Sequence, residues 1–119
     1  MGLELDHDKE LIGRKITGIE KDGDGVKIQI DNIEWRIYSA EGEWCAAAWV
    51  EHINPGRGIV TKIECNTESL DPGPENDVLD QYMYTIFTVN DRIDIELRVD
   101  HNGYYGGWLE FIGTEEVKN

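Results

Sequence analysis

Apolar and polar residues alternate along much of the chain, as in a β-strand that packs one face on a core and leaves the other in water. The first clear run places Val26, Ile28 and Ile30 on one face, with polar residues between them. An earlier alternating run begins at Lys15, and residues 22–25 (DGDG) connect the two. Glycines adopt positive φ freely, so this connection predicts a β-hairpin. A calcium loop is the alternative, but no bidentate glutamate follows at the required spacing and no helix pair flanks the loop.

Further segments have the same strand character. They are residues 33–38, 59–65, 82–89, 93–99 and 104–112. The alternation is clearest in 93–99, where four apolar residues enclose three charged ones. Turn-forming residues separate several of these runs, notably at 31–32 (DN), 90–91 (ND) and 102–103 (NG). The sequence therefore predicts successive antiparallel strands joined by short turns.

One segment breaks this pattern and favours a helix. In residues 41–53, Trp44, Ala47 and Ala48 fall at helical spacing, and alanine has the highest helix propensity. Residues 55–58 (PGRG) end the predicted helix. We therefore predict an α+β fold, in which a strongly bent, mainly antiparallel sheet of about seven strands packs on one short central helix.

The same patterns predict the organisation of the rest of the chain. Residues 66–80 contain two prolines and five acidic side chains, so we expect a long acidic loop there. Residues 1–10 are expected to be loosely ordered, with one short turn over 6–11 that Gly13 ends. The length suits one core, so we predict a single domain over residues 1–119.

Composition and charge exclude several classes of protein. Hydrophobic residues make up 39% of the chain, which is too many for a disordered acidic tail. The net charge is −14, from 25 acidic and 11 basic residues, so direct nucleic-acid binding is not expected. No apolar run approaches the roughly 18 residues of a membrane span, and the acidic first residues are unlike a signal peptide. We therefore expect a cytoplasmic protein with no membrane partner.

The excess of carboxylates suggests a binding function. Charge of one sign at this density speeds association with a basic partner, and large aromatic side chains often anchor such contacts. The predicted partner-binding residues are Trp44, Trp49, Asp71, Glu75, Asp77, Asp94, Glu96, Tyr104 and Tyr105. Two simpler interpretations stay open: the carboxylates only keep the protein soluble, and the aromatic residues complete the core.

No catalytic, cofactor or metal site is expected. On a helix, Cys45 and His52 would lie two turns apart, roughly 10 Å along the axis, which is too far for direct proton transfer. Cys45 with His101 is open in three dimensions, but nothing in the sequence requires that pair. Glu51, His52 and His101 offer ligands for a metal, yet a histidine at a helix C-terminus is favoured by the helix dipole alone. Cys45 and Cys65 have no metal-binding spacing and are expected to be free buried thiols. We therefore expect a non-enzymatic protein.

Several short segments carry a family resemblance. They are residues 11–13 (LIG), 35–38 (WRIY), Cys45 with 50–53 (VEHI), 84–85 (YT) and 102–105 (NGYY). In this order they resemble a family of small uncharacterised proteins encoded mainly by bacteriophages and prophages. The resemblance implies a viral or mobile-element origin and a small accessory role, and it implies no activity. The family often has two adjacent cysteines where this chain has Cys45 and Ala46, which removes any case for vicinal thiol chemistry.

Three functional hypotheses follow. The first is a phage or prophage protein that inhibits or modulates a host nucleic-acid-handling or defence protein by occupying its basic surface, in the cytoplasm of the bacterial host. The second is a protein that sequesters a nucleotide or signal molecule in a pocket between helix and sheet, with Arg36, His52, Arg98 and His101 as ligand-binding residues. The third is an immunity protein that neutralises a toxin. Monomer and homodimer stay open.

Overall fold

The computed structural model is an all-β structure of eight antiparallel strands, and it describes residues 3–44, 46–71, 78–101 and 106–118. The strands are β1 (Lys15–Asp22), β2 (Gly25–Ile30), β3 (Glu34–Gly42), β4 (Ala47–Asn54), β5 (Gly58–Asp71), β6 (Val78–Thr88), β7 (Arg92–His101) and β8 (Gly107–Glu116). Two short 3₁₀ helices, Leu5–His7 and Lys9–Leu11, precede them. Within the described ranges, no helix has the length and apolar character needed to cross a membrane.

The strands follow the order β4-β7-β6-β5-β1-β2-β3-β8 in one sheet. We call β1, β2, β3 and β8 the first half and β4, β7, β6 and β5 the second half. The two halves are joined where β5 pairs with β1, at Lys15–Ile59 and Ile16–Gly58. The sheet bends there, so that β4 packs against β3 and the inner faces of both halves share one core. The antiparallel sheet expected from the sequence is confirmed.

The core is formed by the apolar positions of the alternating strands. Strand β7 is the clearest case, because Ile93, Ile95, Leu97 and Val99 are fully buried while the residues between them reach the outer surface. The first half contributes another alternating set, which includes Val26, Ile28, Ile30 and Leu109. Two tyrosines, Tyr38 and Tyr84, are also buried in the core. The period-two pattern of the sequence therefore identifies the inner face correctly on β2 and β7. It does not do so on β3, where Arg36 and Tyr38 are buried while the apolar Ile37 between them is only half-buried.

The predicted central helix over 41–53 is wrong, and with it the α+β fold. Strand β3 runs to Gly42, and Ala47–Asn54 forms β4, which pairs with β7. A register shift between Val50 and His52 marks a β-bulge. Helix propensity is a weak preference, and cross-strand pairing overrides it here.

The predicted turns at 22–25 and 31–32 are confirmed. Asp22 pairs with Gly25 across a two-residue connection in which Gly23 has a φ of +59°. At the next connection, Asp31 and Asn32 have φ values of +52° and +58°. Two successive positive φ values give the turn that matches the right-handed twist of the flanking strands. These turns position β1, β2 and β3 side by side.

The expected loop over 66–80 is largely strand. Residues up to Asp71 belong to β5 and those from Val78 belong to β6, while 72–77 lie outside the described residues. The ladder between the two strands continues to Asp71–Leu79. Acidic and proline-rich composition indicated a loop, but the backbone still pairs, because charged residues are tolerated on a strand face that meets water.

Residues 3–11 form a segment that we call the strap. The sequence predicts a loosely ordered N-terminus, whereas the strap is ordered. Its first 3₁₀ helix packs against β5 and β8, and Leu5 and Leu11 are fully buried. Its backbone is joined to β8 through a bridge between Glu4 and Glu110. Gly13, which follows the strap, donates its N–H to the carbonyl of Val60 at 2.9 Å. The strap therefore fills the gap between β5 and β8.

Candidate functional site

Among the residues whose side chains the structure describes, the outer face of the second half carries six carboxylates against three basic side chains. Cross-strand register aligns all of them but Glu51 on one surface, because directly paired residues of an antiparallel sheet point to the same side. Glu51 lies at the bulge of β4 and contacts Trp49 and Arg98 of the same surface. We call this surface the acidic face. Its carboxylates are Glu51, Glu64, Glu68, Asp94, Glu96 and Asp100, and its basic residues are Lys62, Arg92 and Arg98. The face thus has a net negative charge on a continuous sheet surface.

Two carboxylates of the acidic face have no ion-pair partner among the described residues. Glu68 and Asp100 are both exposed and form no salt bridge within those ranges. Other carboxylates of this face form ion pairs with basic residues two positions away on their own strands, as in Lys62–Glu64 at 3.0 Å and Arg92–Asp94 at 3.1 Å. Exposed pairs of this kind stabilise the fold by at most about 1 kcal/mol. The remaining negative charge is therefore available to a partner.

Trp49 lies at the centre of a small polar network on this face. It stands opposite Arg98 in the β4–β7 ladder, and its indole N–H donates to Glu51 Oε1 at 3.3 Å. Arg98 donates from Nε to Glu96 at 2.7 Å and lies 3.5 Å from Glu51. The hydrogen bond to Glu96 and the nearby carboxylates raise the pKa of Arg98 above its ordinary value. Two carboxylates thus already hold a guanidinium here, and one of them, Glu51, also accepts the indole N–H.

Trp44 lies in the connection between β3 and β4, three residues before Ala47, which pairs with Asp100 of the acidic face. Its side chain is 88% exposed and its φ is +46°. A left-handed backbone is rare and unfavourable for a bulky residue, and such conformations cluster at functional sites. An indole held in water by a strained turn contributes nothing to the core. Trp44 is therefore the strongest candidate for a contact residue.

The structure brings together three of the predicted partner-binding residues and leaves several undescribed. Trp49, Asp94 and Glu96 share the acidic face. Asp71 is the last residue of β5. The predicted residues Glu75, Asp77, Tyr104 and Tyr105 lie outside the described residues. Two of the acidic-face carboxylates missing from the prediction, Glu64 and Asp100, continue the polar positions of the alternating runs 59–65 and 93–99, so their spacing could have identified them. Glu51 lies at the bulge of β4 and Glu68 in the segment expected to be a loop, so no alternation indicated these two.

The residues of the ligand-pocket hypothesis do not converge. Arg36 is buried on the inner face of β3, His52 is exposed on β4, and Arg98 lies on the acidic face. His101 is 8% exposed, and its Nε2 lies 2.6 Å from Asp80 Oδ2. The helix that was to form one wall of the pocket is a strand. No single cavity can therefore present all four residues to one small molecule.

The Glu51–His52–His101 metal set is also separated. His52 stands opposite Glu96 in the ladder, and His101 lies five residues further along β7, roughly 16 Å at the rise of an extended strand. Glu4, Asp6 and His7 of the strap have ligand atoms within 4.8 Å of one another. His7 lies 3.7 Å from Glu4 and 3.6 Å from Asp6, so ion pairing within the strap accounts for this group.

The most unusual chemistry in the described residues is a charge pair inside the core. Asp8 of the strap is 1% exposed and accepts from Arg36 at 2.7 Å, from the Tyr38 hydroxyl, and from the backbone N–H of Glu10 at 3.1 Å. Burial opposes the charge on Arg36, but hydrogen bonds to Tyr38 and Asp8 outweigh it and raise the pKa of Arg36. The guanidinium also stacks 4.1 Å from the ring of Phe111. The pair therefore anchors the strap to β3 and β8.

The sequence contains a signal for this anchor. Leu5, Asp8 and Leu11 recur every three residues, and a 3₁₀ helix has three residues per turn, so the three side chains project from one side. The prediction of one short turn over 6–11 missed this spacing. Arg36 falls on the polar side of the alternation in residues 33–38, so the sequence does not mark it as a core position, although its charge requires a buried partner once it is buried.

Cys65 is half-buried and lies beside Tyr84 in a second polar cluster. Burial, together with the nearby Asp6 carboxylate, raises the pKa of the Cys65 thiol to about 12. The neighbouring Tyr84 hydroxyl accepts from the backbone N–H of Leu109 at 3.1 Å, and burial raises the pKa of Tyr84 as well. A thiol that keeps its proton is a poor nucleophile and a poor metal ligand. Cys65 is free, and Cys45 lies outside the described residues.

Comparisons with known proteins identify a family and no relative of known function. No curated protein matches the chain, and no solved structure matches it. The model of a domain of unknown function, DUF7448, matches residues 9–111. This range covers all of the sheet down to Phe111 of β8, and it agrees with the expected resemblance to an uncharacterised family. The chain therefore belongs to the DUF7448 family.

Proposed function

We propose that this protein is a non-catalytic binding protein that occupies a basic surface of another protein. The observation that carries the proposal is the acidic face, where six carboxylates share one exposed sheet surface with three basic residues. Complementary charge raises association rates and selects partners of opposite sign. Among the described residues, Glu68 and Asp100 form no ion pair that the binding of a partner would have to break.

Trp44 and Trp49 supply the apolar part of the contact. Interface energy concentrates in a few large side chains, with tryptophan and arginine over-represented. Trp44 is exposed beside the end of β4, and Trp49 lies half-buried on the acidic face itself. Charge then steers the encounter, and burial of the indoles slows dissociation.

The partner class follows from the charge. A basic protein that handles nucleic acid, such as a defence nuclease, presents the surface that this face complements. Direct contact with nucleic acid is disfavoured, because carboxylates repel phosphates. Together with the resemblance to phage and prophage proteins, this supports a role as an inhibitor or modulator of a host protein in the bacterial cytoplasm.

An affinity pull-down from bacterial lysate tests the proposal. The tagged protein is compared with a variant carrying Glu68→Gln and Asp100→Asn, and with a matched control carrying Glu115→Gln and Glu116→Gln at the far end of β8. We expect a basic protein that binds the wild type and the control, is lost as salt rises, and is reduced at least tenfold with the face variant. Equal recovery of every bound protein with both variants would refute the proposal.

A Trp44→Ala variant tests the anchor separately. Its side chain is exposed and unpacked, so the substitution should leave the free energy of unfolding nearly unchanged. We expect a loss of affinity that appears mainly as faster dissociation, measured by biolayer interferometry on the captured partner. Unchanged dissociation would remove Trp44 from the contact while leaving the acidic face in place.

A further inference from the structure

The gap between β5 and β8 is built to receive a separate segment. The strap occupies it without becoming a regular strand of the sheet, since its only ladder pairing among the described residues is the bridge between Glu4 and Glu110. Few backbone bonds join the strap to the rest of the molecule, as in Phe111 N–H to Leu3 carbonyl at 2.8 Å. Side chains therefore supply most of its attachment.

Those side chains form a specific recognition pattern. Leu5 and Leu11 are fully buried on either side of Asp8, which meets the guanidinium of Arg36 and the hydroxyl of Tyr38 inside the core. The charged pair fixes the register of the segment, because any slip would leave Arg36 buried without a counter-ion. The gap thus selects two leucines and an aspartate at spacings of three.

The strap is joined to β1 by a short, tight connection. The N–H of Arg14 donates to the carbonyl of Leu11 at 3.0 Å, which closes a turn, and Gly13 within that turn has a φ of +83°. A short hinge beside an element held by side chains is an arrangement that permits exchange between copies.

We propose that a second copy of this chain is the partner that this gap fits, and that two copies exchange their straps to form a reciprocal dimer. Each strap then makes the same contacts with the Arg36 site of the other copy. The opened hinge no longer needs the positive φ of Gly13. A dimer of this kind carries two acidic faces, so it binds a partner with repeated basic surfaces more tightly than the monomer does.

Gly13→Ala tests the role of the hinge. A side chain at positive φ strains the closed turn, and nothing lies within 4 Å of the added Cβ, so the strain is confined to the backbone. An exchanged dimer relieves the backbone strain of the substituted hinge in both chains. We therefore expect the association constant of the dimer to be at least tenfold higher for Gly13→Ala than for the wild type, measured by analytical ultracentrifugation after refolding at high concentration. Gly18→Ala is the matched control, since Gly18 has ordinary backbone geometry and ordinary contacts.

Disulfide trapping tests the exchange directly. A Glu4→Cys chain and a differently tagged Glu110→Cys chain are refolded together and oxidised, and linked peptides are mapped by mass spectrometry. Since Glu4 lies opposite Glu110, exchange predicts a disulfide between the two chains, whereas a Glu115→Cys partner should give none above background. The proposal would be overturned if the wild type and Gly13→Ala were monomers at every concentration and no disulfide joined positions 4 and 110 of different chains. That result would not affect the proposed role of the acidic face.

Discussion

Arg36 shows how one residue can decide the placement of a segment far from it in sequence. It points into the core between strands whose other inner positions are apolar, and the counter-ion comes from Asp8, 28 residues earlier. Local sequence reasoning treated Arg36 as a candidate ligand-binding residue, because nothing near it indicates a buried carboxylate. The strap was expected to be loose for the same reason: its anchor depends on a contact of long sequence separation.

Asp8→Asn should be strongly destabilising. The substitution leaves Arg36 charged inside the core, and removal of one partner of a buried ion pair typically costs about 3–5 kcal/mol. Urea unfolding provides the measurement, and Asp6→Asn in the same strap should cost less than about 1 kcal/mol. A double variant with Asp8→Leu and Arg36→Met should recover much of the loss, because it removes both charges. If the double variant were as unstable as Asp8→Asn, uncompensated charge would not be the cause.

Stability should fall at alkaline pH because of Cys65. In the unfolded chain a thiol loses its proton near pH 8.5, roughly its ordinary pKa, whereas the folded chain keeps that proton up to about pH 12. Above pH 8.5 the unfolded state therefore binds fewer protons, and the free energy of unfolding declines. Cys65→Ala should flatten the decline between roughly pH 8.5 and 10, measured by urea unfolding at several pH values. Parallel declines in both proteins would contradict this assignment.

At the scale of elements, the strands with regular alternation could be predicted and the one with a bulge could not. In β4 the inward residues are Ala48, Val50 and Ile53, so a spacing of two is followed by a spacing of three. The bulge between Val50 and His52 causes this change and interrupts the period of two that indicates a strand, while Trp44, Ala47 and Ala48 fall at helical spacing. Alanines strengthened the false signal. The acidic residues of 66–80 misled in another way, because their composition indicates solvent and not the absence of backbone pairing.

Gly25 should be the least replaceable glycine of the first hairpin. A Cβ built there would lie 2.1 Å from the carbonyl oxygen of Tyr38, and backbone of the neighbouring strand cannot move aside cheaply. Gly25→Ala should therefore destabilise the fold by about 1–3 kcal/mol through overpacking. Gly18→Ala, whose nearest neighbour atoms lie at 3.4 Å, should change the thermal midpoint little. Equal midpoints for the two variants would show that the β2–β3 contact is looser than described.

For the whole molecule, the net charge follows from the composition, but the distribution of the charged residues over the surface does not. The sequence predicts Trp49, Asp94 and Glu96 as contact residues without indicating that they share a face, because that depends on how β4 and β7 pair. The predicted contact residues Glu75, Asp77, Tyr104 and Tyr105 lie outside the described residues and are not assigned to the acidic face. The net charge of −14 also acts on the fold itself, through repulsion among carboxylates.

Added salt should therefore stabilise the protein. Screening weakens the repulsion in the folded state, and the exposed ion pairs that it also weakens contribute little. We expect the urea midpoint to rise between about 50 mM and 500 mM NaCl, where the Debye length falls from about 14 Å to about 4 Å. A variant that neutralises Glu68, Asp100, Glu115 and Glu116 should show a smaller rise. A falling midpoint in the wild type would mean that attractive pairs outweigh the repulsion.

The exposed indole of Trp44 gives the molecule an optical reporter. A tryptophan that is 88% exposed emits at long wavelength and is quenched readily by iodide, whereas the half-buried Trp35, Trp49 and Trp108 are shielded to a greater degree. With those three replaced by phenylalanine, emission would report the environment of one position. A blue shift and loss of iodide quenching on adding a fraction of lysate would then reveal contact at Trp44 without a label.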